Sequence, residues 1–147
     1  MTPKPRRVLF VCTYNSVRSP MAAAILNSAK SGIYTAESAG LFPSPVDPRV
    51  VTVMQERGVD LSGHRPQTLG ACSKAAYDTI VFLSPSVREG AHYIPPAREV
   101  ITLNIPVPGA KGADGLDGYR ELCRMLEDAI TECLPDAGVG DEHGRTC

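Results

Sequence analysis

Short apolar runs, rich in β-branched and aromatic residues, alternate along the chain with segments of helical character. The runs cover residues 8–11, 34–39, 79–83 and 100–103, and turn-forming residues bound them. Runs of this kind predict short buried strands. Strands that alternate with helices predict right-handed crossovers and a parallel sheet with helices on both faces. We therefore predict an α/β fold, in which a single three-layer domain is built on a four-stranded parallel sheet flanked by helices.

Three helices are predicted between and after the strands. The first begins near Ser19, which can cap it and is followed by a proline suited to the first helical position. The second begins after Asp47 and ends at Gly58, a typical helix stop. The third begins at Asp117, and its apolar residues recur at helical spacing until a proline ends it. A short helical turn is also expected within residues 64–69.

Size and charge restrict the architecture and the partners. With 147 residues, 43% of them hydrophobic and 21% charged, the chain suits one globular domain rather than a collagen, a coiled coil or a disordered chain. We place this domain at residues 1–134 and expect the polar, glycine-rich residues 135–147 to form a mobile tail. The net charge of -1 gives no reason to expect nucleic acid or an anionic membrane as a partner.

The cysteines favour a reduced, cytoplasmic protein over a disulfide scaffold. There are five, and they show neither Cys-x-x-Cys spacing nor a histidine at zinc-finger distance. We therefore expect no disulfide framework, no metal site and no cofactor. Three of the cysteines are expected to pack as small apolar residues, and a fourth lies in the tail. The three packing residues are Cys72, Cys123 and Cys133, and the tail residue is Cys147.

The fifth cysteine lies in a loop suited to nucleophilic chemistry. Cys12 directly follows the first strand, and Arg18 lies six residues later, close to the start of the first helix. The N–H groups of such a loop can ring an anion, and the helix N-terminus adds positive potential. Arg18 can hold two oxygens of a phosphate-like group, and these positive surroundings favour Cys12 as a thiolate. The spacing alone is weak evidence, so the prediction depends on the position between strand and helix.

Other residues of this loop have supporting roles. Ser19 can donate a hydrogen bond to the thiolate or to the leaving sulfur, and Asn15 suits a tight turn in the left-handed region. The amides expected to surround the anion belong to the residues that follow the cysteine. They are Thr13, Tyr14, Asn15, Ser16, Val17 and Arg18.

Residues 11–22, Val-Cys-Thr-Tyr-Asn-Ser-Val-Arg-Ser-Pro-Met-Ala, resemble the phosphate-binding signature of low-molecular-weight protein-tyrosine phosphatases and their arsenate-reductase relatives. A Ser-Ala-Gly segment at residues 38–40, a Gly-x-x-Leu-x-x-His stretch at residues 58–64 and the long last helix are similar to the same family. The resemblance covers residues 6–134. It implies a flavodoxin-like fold for this domain.

The resemblance also implies a mechanism. Cys12 would attack a phosphomonoester, such as phosphotyrosine or another aryl phosphate, and form a phosphocysteine that water hydrolyses. In similar phosphatases the Asp of an Asp-Pro pair after the fourth strand is the general acid, and here Val107 stands before Pro108. Asp114 and Asp117 are candidates to replace it. Without such an acid we expect slow turnover, a preference for activated leaving groups, or binding alone.

Two other functions stay open. Related arsenate reductases relay a disulfide to cysteines after the third strand, but Ser84 stands there and residues 84–92 hold no cysteine. An arsenate reductase that uses an external small thiol needs only Cys12, so it remains an alternative. A pseudophosphatase that binds phosphate without turnover is the third hypothesis.

Two further departures from the family pattern lie in the loop itself. Tyr14 replaces a glycine, which can change how the loop closes, and Val17 replaces a cysteine that protects the nucleophile in some relatives. Tyr14 and Tyr119 are candidates to line the mouth and stack on an aromatic substrate. The expected partners are a phosphorylated protein, a small aryl phosphate, or an arsenate or phosphate oxyanion. The expected form is a monomer or a weak dimer.

Overall fold

Four parallel strands form the centre of the structure, a computed structural model that describes residues 4–72 and 74–136. The strands are β1 (Arg6–Cys12), β2 (Tyr34–Gly40), β3 (Tyr77–Phe82) and β4 (Ala97–Thr102). All pairings are parallel, and the order across the sheet is β2-β1-β3-β4. The predicted sheet is confirmed, and each predicted strand overlaps an observed one. Because β1 is an inner strand, its C-terminal end lies between the C-terminal ends of β2 and β3.

Helices cover both faces of this sheet, which confirms the predicted three-layer arrangement. Along β1, Val8 and Phe10 face one core and Leu9 and Val11 face the other, as the alternation of a strand requires. The first core includes side chains from three long helices, and the second includes a shorter helix and a 3-10 turn. In chain order these elements are α1 (Arg18–Ala29), α2 (Pro48–Glu56), the 3-10 turn Leu69–Cys72, α3 (Pro85–Gly90) and α4 (Asp117–Cys133).

Three local predictions differ from the structure. Helix α1 begins at Arg18, so Ser19 lies in its first turn and is not its cap. Helix α3 was not predicted from its proline-rich segment, although the Ser84 hydroxyl caps it by accepting from the Val87 N–H at 3.4 Å. The helical turn expected within residues 64–69 lies later, at Leu69–Cys72. The first and third differences are shifts in position, whereas α3 is an element that the sequence analysis missed.

Helix α2 has the boundaries that its sequence predicts. The Asp47 carboxylate accepts from the Arg49 N–H at 2.9 Å and caps the helix, with a proline at its first position. Gly58 follows the helix with φ of +78°, a left-handed conformation that favours glycine. The segment that connects β2 to α2 therefore ends at Asp47.

The start of the predicted tail is anchored to the domain. The Tyr34 hydroxyl donates to the Pro135 carbonyl at 2.6 Å, and Lys30 forms an ion pair with Asp136 at 3.1 Å. The rest of the predicted tail, residues 137–147, lies outside the described residues. None of the helices within the described ranges is long and apolar enough to cross a bilayer.

The described part of the chain contains four cysteines, and all four are buried. Cys12, Cys72 and Cys123 are free. Cys133 packs in the core that α1 and α4 share. The prediction that Cys72, Cys123 and Cys133 pack as small apolar residues is confirmed, and Cys147 lies outside the described residues.

Candidate active site

The loop between Cys12 and Arg18 lies at the C-terminal edge of the sheet, where β1 ends and α1 begins. This is the edge at which ligands collect in open parallel sheets. Cys12 is 2% exposed and Arg18 is 7% exposed, so the two side chains are held inside the loop and not on its outer surface. The strand, loop and helix therefore bring together the residues that the sequence predicts for an oxyanion site.

The sulfur of Cys12 is contacted by two groups of Ser19. The Ser19 hydroxyl oxygen lies 3.0 Å from Sγ, and the Ser19 backbone N–H donates to Sγ at 3.4 Å. Both groups belong to the first turn of α1, where the helix dipole is positive. Both groups are placed to donate to a thiolate, which is the form of the sulfur that acts as a nucleophile.

The Ser19 hydroxyl is itself oriented by its neighbours. It lies 2.9 Å from the Asn15 side-chain amide nitrogen, which donates to it, and 3.3 Å from the Ala39 carbonyl. A hydroxyl has one proton to donate, so the Asn15 donor leaves that proton for Cys12 or for Ala39. The Asn15 contact is thus consistent with the predicted role of Ser19 as a donor to the sulfur.

Asn15 is the residue around which the loop turns. Its φ is +54°, a left-handed conformation that asparagine tolerates better than most residues, and its side chain is fully buried. The Asn15 side-chain oxygen accepts from the Gln67 N–H at 3.0 Å, and its carbonyl lies 3.2 Å from Nε2 of His64. Burial holds the pKa of His64 below its ordinary value, so the neutral ring donates to that carbonyl.

The segment after β2 holds the outer side of the loop. The Thr13 carbonyl accepts from the N–H groups of Leu41 and Phe42 at 2.8 and 2.9 Å, and the Tyr14 carbonyl accepts from Ser44 at 2.9 Å. With these carbonyls turned outward, we expect the N–H groups of the loop to face inward around the sulfur.

Gly40 permits this close packing. A Cβ atom at Gly40 would lie 2.6 Å from the Asn15 nitrogen and 2.8 Å from the Tyr14 carbonyl carbon, which is closer than real Cβ contacts allow. The Ser-Ala-Gly segment that resembles the family pattern thus has a physical role. Gly40 ends strand β2, and the backbone of the loop at Tyr14 and Asn15 packs directly against it.

Arg18 is positioned by the loop that follows β4. Its Nη1 donates to the Ile105 carbonyl at 3.0 Å, and its Nη2 donates to the Thr13 hydroxyl at 3.3 Å. A guanidinium carries five N–H donors, so three remain for an anion. The residue predicted to clamp an oxyanion is therefore held in place by contacts on two sides.

The candidate acids Asp114 and Asp117 are engaged elsewhere. Arg120 donates to Asp114 at 2.9 Å, to Asp117 at 2.8 Å and to Glu56 at 2.8 Å. Arg120 also holds the pKa of Asp114 below its usual value, which is opposite to what a proton donor needs. These ion pairs weigh against both replacements, and Val107 itself is 69% exposed and carries no proton to transfer.

The two tyrosines predicted at the mouth have different positions. Tyr14 is 54% exposed on the loop, as a substrate-contacting residue would be. Tyr119 is buried, and the Arg49 guanidinium lies over its ring at 4.7 Å, so the predicted stacking role of Tyr119 was wrong. Phe42, which the sequence reasoning missed, is 66% exposed on the segment bonded to the loop. Its position after the Ser-Ala-Gly segment was the available signal.

The described residues contain no cluster of histidine, cysteine and acidic side chains that could hold a metal ion. The groups that the structure brings together at this edge are a thiol, its hydroxyl neighbour, an arginine and backbone amides. Such a set can bind a tetrahedral oxyanion and attack it with sulfur.

Comparison with known proteins identifies the family of the chain. The family model of low molecular weight phosphotyrosine protein phosphatases matches residues 7–142. The chain belongs to this family, and it is a phosphatase-like hydrolase. The family predicted from the loop and its neighbouring motifs is thus confirmed.

Individual relatives include both phosphatases and reductases. A protein-arginine-phosphatase of Geobacillus stearothermophilus is 40% identical, with 86% of this chain and 89% of the relative covered. A glutaredoxin arsenate reductase of Synechocystis sp. is 33% identical over 78 residues, which cover 53% of this chain and 60% of the relative. The crystal structure of a low molecular weight protein tyrosine phosphatase from T. tengcongensis has a TM-score of 0.72 at 29% identity. It covers 85% of this chain and 95% of that one.

Proposed function

We propose that the protein is a cysteine-dependent phosphatase that hydrolyses a phosphomonoester through a phosphocysteine. The observation that carries this proposal is the pair of Ser19 contacts to the Cys12 sulfur, at 3.0 and 3.4 Å, beside a buried and oriented Arg18. A structural cysteine needs neither a hydroxyl donor nor a neighbouring guanidinium. A nucleophile that attacks a dianion needs both.

Each step uses groups that the structure places at the loop. The Cys12 thiolate attacks phosphorus, the S–P bond forms, and the bond to the leaving oxygen breaks with its electron pair on that oxygen. Arg18 and the loop amides stabilise the charge on the transferred group. Water then attacks phosphorus, inorganic phosphate is released, and the sulfur leaves as a thiolate stabilised by Ser19.

The rate of the first step depends on the leaving group. General acid catalysis contributes about 10²–10⁴-fold, and Val107 cannot supply it. The protein is therefore a slow phosphatase toward basic leaving groups. Phosphotyrosine and other aryl phosphates are the substrates that the family suggests, and the arginine-phosphatase relative adds phosphoarginine as a candidate on a phosphorylated protein.

Arsenate reduction with an external small thiol is the second candidate. The same cradle would bind arsenate, and the Synechocystis relative is an arsenate reductase. Cys72 and Cys123 are buried in the cores of the described domain, where Cys123 contacts the Met54 sulfur, so this proposal takes a small thiol from solution as the reductant of the Cys12 adduct.

One set of assays separates these functions. The protein is incubated with 4-nitrophenyl phosphate, phosphotyrosine peptide and phosphoarginine, and in parallel with arsenate and glutathione. Phosphate release that disappears in Cys12→Ser and persists in Cys123→Ser supports the phosphatase. Arsenate-dependent thiol consumption without phosphate release would replace it with the reductase. Phosphate binding without either activity would show a pseudophosphatase.

A further inference from the structure

We propose that the substrates suited to this site are acyl phosphates, whose carboxylate leaves without a proton from the enzyme. The proposal rests on the proposed phosphatase function and names its substrate class. It rests on the residue types that surround the entrance to the site, which we call the mouth. The mouth is formed by the chain segments at the C-terminal ends of the four parallel strands.

These four segments carry almost no charge. The parts of these segments nearest the strand ends are residues 12–18, 40–46, 83–86 and 103–110, and they contain no aspartate, glutamate or histidine. Arg18 is the single charged residue in these stretches, and Asp47 and Lys111 follow directly after the second and the fourth. Contacts join three of the segments directly, because Arg18 donates to the Ile105 carbonyl and the Thr13 carbonyl accepts from the segment after β2. No side chain in these segments can give a proton to a leaving group as a carboxylic acid or an imidazolium does.

Titratable groups next to the mouth are already engaged. Asp47 accepts from both the backbone and the guanidinium of Arg49, which hold its pKa below the usual value. His64 donates to the Asn15 carbonyl on the outer side of the loop. Asp114 and Asp117 are paired with Arg120, as described above. None of these groups is available as an acid at the sulfur.

Glu121 is a further carboxylate close to Val107. It lines a cavity of about 160 Å³ together with Val107 and Lys111. The experiment below tests Glu121 directly.

The rim of the mouth is apolar. The described residues include four large hydrophobic side chains that are exposed, and three of them, Tyr14, Phe42 and Val107, lie on these segments. An uncharged acyl group fits such a rim. A phosphorylated guanidinium fits less well, because the carboxylate next to the mouth, Asp47, is already paired with Arg49.

The chemistry balances without an enzyme acid. The Cys12 thiolate forms a bond to phosphorus, the P–O bond of the mixed anhydride breaks, and the carboxylate departs with the electron pair. A carboxylic acid has a pKa of about 4, whereas a tyrosine phenol has a pKa of about 10, so the carboxylate needs no proton at neutral pH and the phenoxide does. Water then hydrolyses the phosphocysteine, and the proton of that water passes to solvent.

The test compares kcat/KM for benzoyl phosphate, phenyl phosphate and phosphoarginine. We expect benzoyl phosphate to exceed phenyl phosphate by at least about 100-fold, the contribution that an acid would otherwise make to the phenyl ester. Val107→Asp should reduce this ratio by at least about tenfold, because the new acid helps only the phenoxide. Val107→Asn is the matched control, polar and similar in shape but without a proton to transfer, and should leave the ratio unchanged.

Several results would overturn the proposal. A benzoyl-to-phenyl ratio near one shows that an acid is already present. A phenyl phosphate rate that falls about 100-fold in Asp114→Asn, Asp117→Asn or Glu121→Gln identifies that acid. Faster turnover of phosphoarginine than of benzoyl phosphate contradicts the argument from the uncharged mouth. Turnover of benzoyl phosphate that survives in Cys12→Ser defeats the proposed phosphatase itself, which is a different and distinguishable failure.

Discussion

Arg18 donates through Nη1 to the carbonyl of Ile105 at 3.0 Å, across 87 positions of sequence. The bond ties the anion-binding side chain of the loop after β1 to the loop after β4. Because β3 lies between these strands, the bond spans the edge of the sheet and not a pair of neighbouring strands. The guanidinium is thus oriented before an anion arrives.

Arg18→Lys should therefore lose activity although it keeps the charge. A lysine ammonium cannot bond Ile105 and Thr13 and still present two parallel donors to an oxyanion. We expect kcat/KM for 4-nitrophenyl phosphate to fall by at least about 10²-fold. Arg65→Lys, at an exposed arginine outside the loop, is the matched control and should keep the activity. Equal activity of the two variants would show that Arg18 serves only as a charge.

Ser19→Ala tests the hydroxyl next to the sulfur. The substitution removes the contact at 3.0 Å but keeps the backbone N–H contact at 3.4 Å. We expect alkylation of Cys12 by iodoacetamide at neutral pH to become several-fold slower, because the thiolate loses a donor. Hydrolysis of the phosphocysteine should also slow, since its leaving sulfur loses the same bond. Ser28→Ala, at an exposed serine in the last turn of α1, is the control. Unchanged alkylation in Ser19→Ala would limit Ser19 to a structural role.

Gly40→Ala tests the close approach of β2 to the loop. The added Cβ would lie 2.6 Å from the Asn15 nitrogen, which is a backbone atom and cannot rotate away. We expect the free energy of unfolding to fall by about 1–3 kcal/mol and inorganic phosphate to bind more weakly, because the loop must move. Gly63→Ala meets nothing within 4 Å and should change neither quantity by much. Urea unfolding and calorimetric phosphate titration measure both.

The pH dependence of stability should report on His64. Burial lowers the pKa of His64 from the ordinary value of 6.5, and the bond with Asn15 only partly offsets this. The unfolded chain therefore binds the proton more readily. The stability contributed by neutral His64 is present above the ordinary pKa and is lost as pH falls through the folded value.

Urea midpoints at about pH 7.5 and about pH 5.5 measure this effect. His64→Gln keeps a donor for Asn15 but does not titrate, so its midpoint should fall less with pH than that of the native protein. His92→Gln, at an exposed histidine, should behave like the native protein. A native-like pH response in His64→Gln would assign the acid sensitivity to other groups.

Local sequence patterns predicted the sheet and much of the site because both depend on short-range signals. A buried run followed at once by Cys12 and then by Arg18 defines strand, loop and helix within a few residues. Asp47 followed by a proline predicted the start of α2 for the same reason.

Contacts between distant segments could not be predicted in this way. The Arg18 bond to Ile105, the approach of Gly40 to Asn15, and the burial of Tyr119 under Arg49 depend on how strands are ordered and how loops pack. The resemblance of residues 38–40 to the family pattern marked Gly40 but did not state its role. A sequence pattern identifies candidate residues, whereas the packing of distant segments determines which of these residues face the site.

The most direct test of the central claim is the identity of the phosphorylated residue during turnover. The protein is mixed with excess 4-nitrophenyl phosphate, quenched within one turnover, and mapped by peptide mass spectrometry. We predict a phosphoryl group on Cys12, absent from Cys12→Ser and longer-lived in Ser19→Ala. Turnover with no phosphoryl adduct on Cys12, or with undiminished rate in Cys12→Ser, would contradict the account.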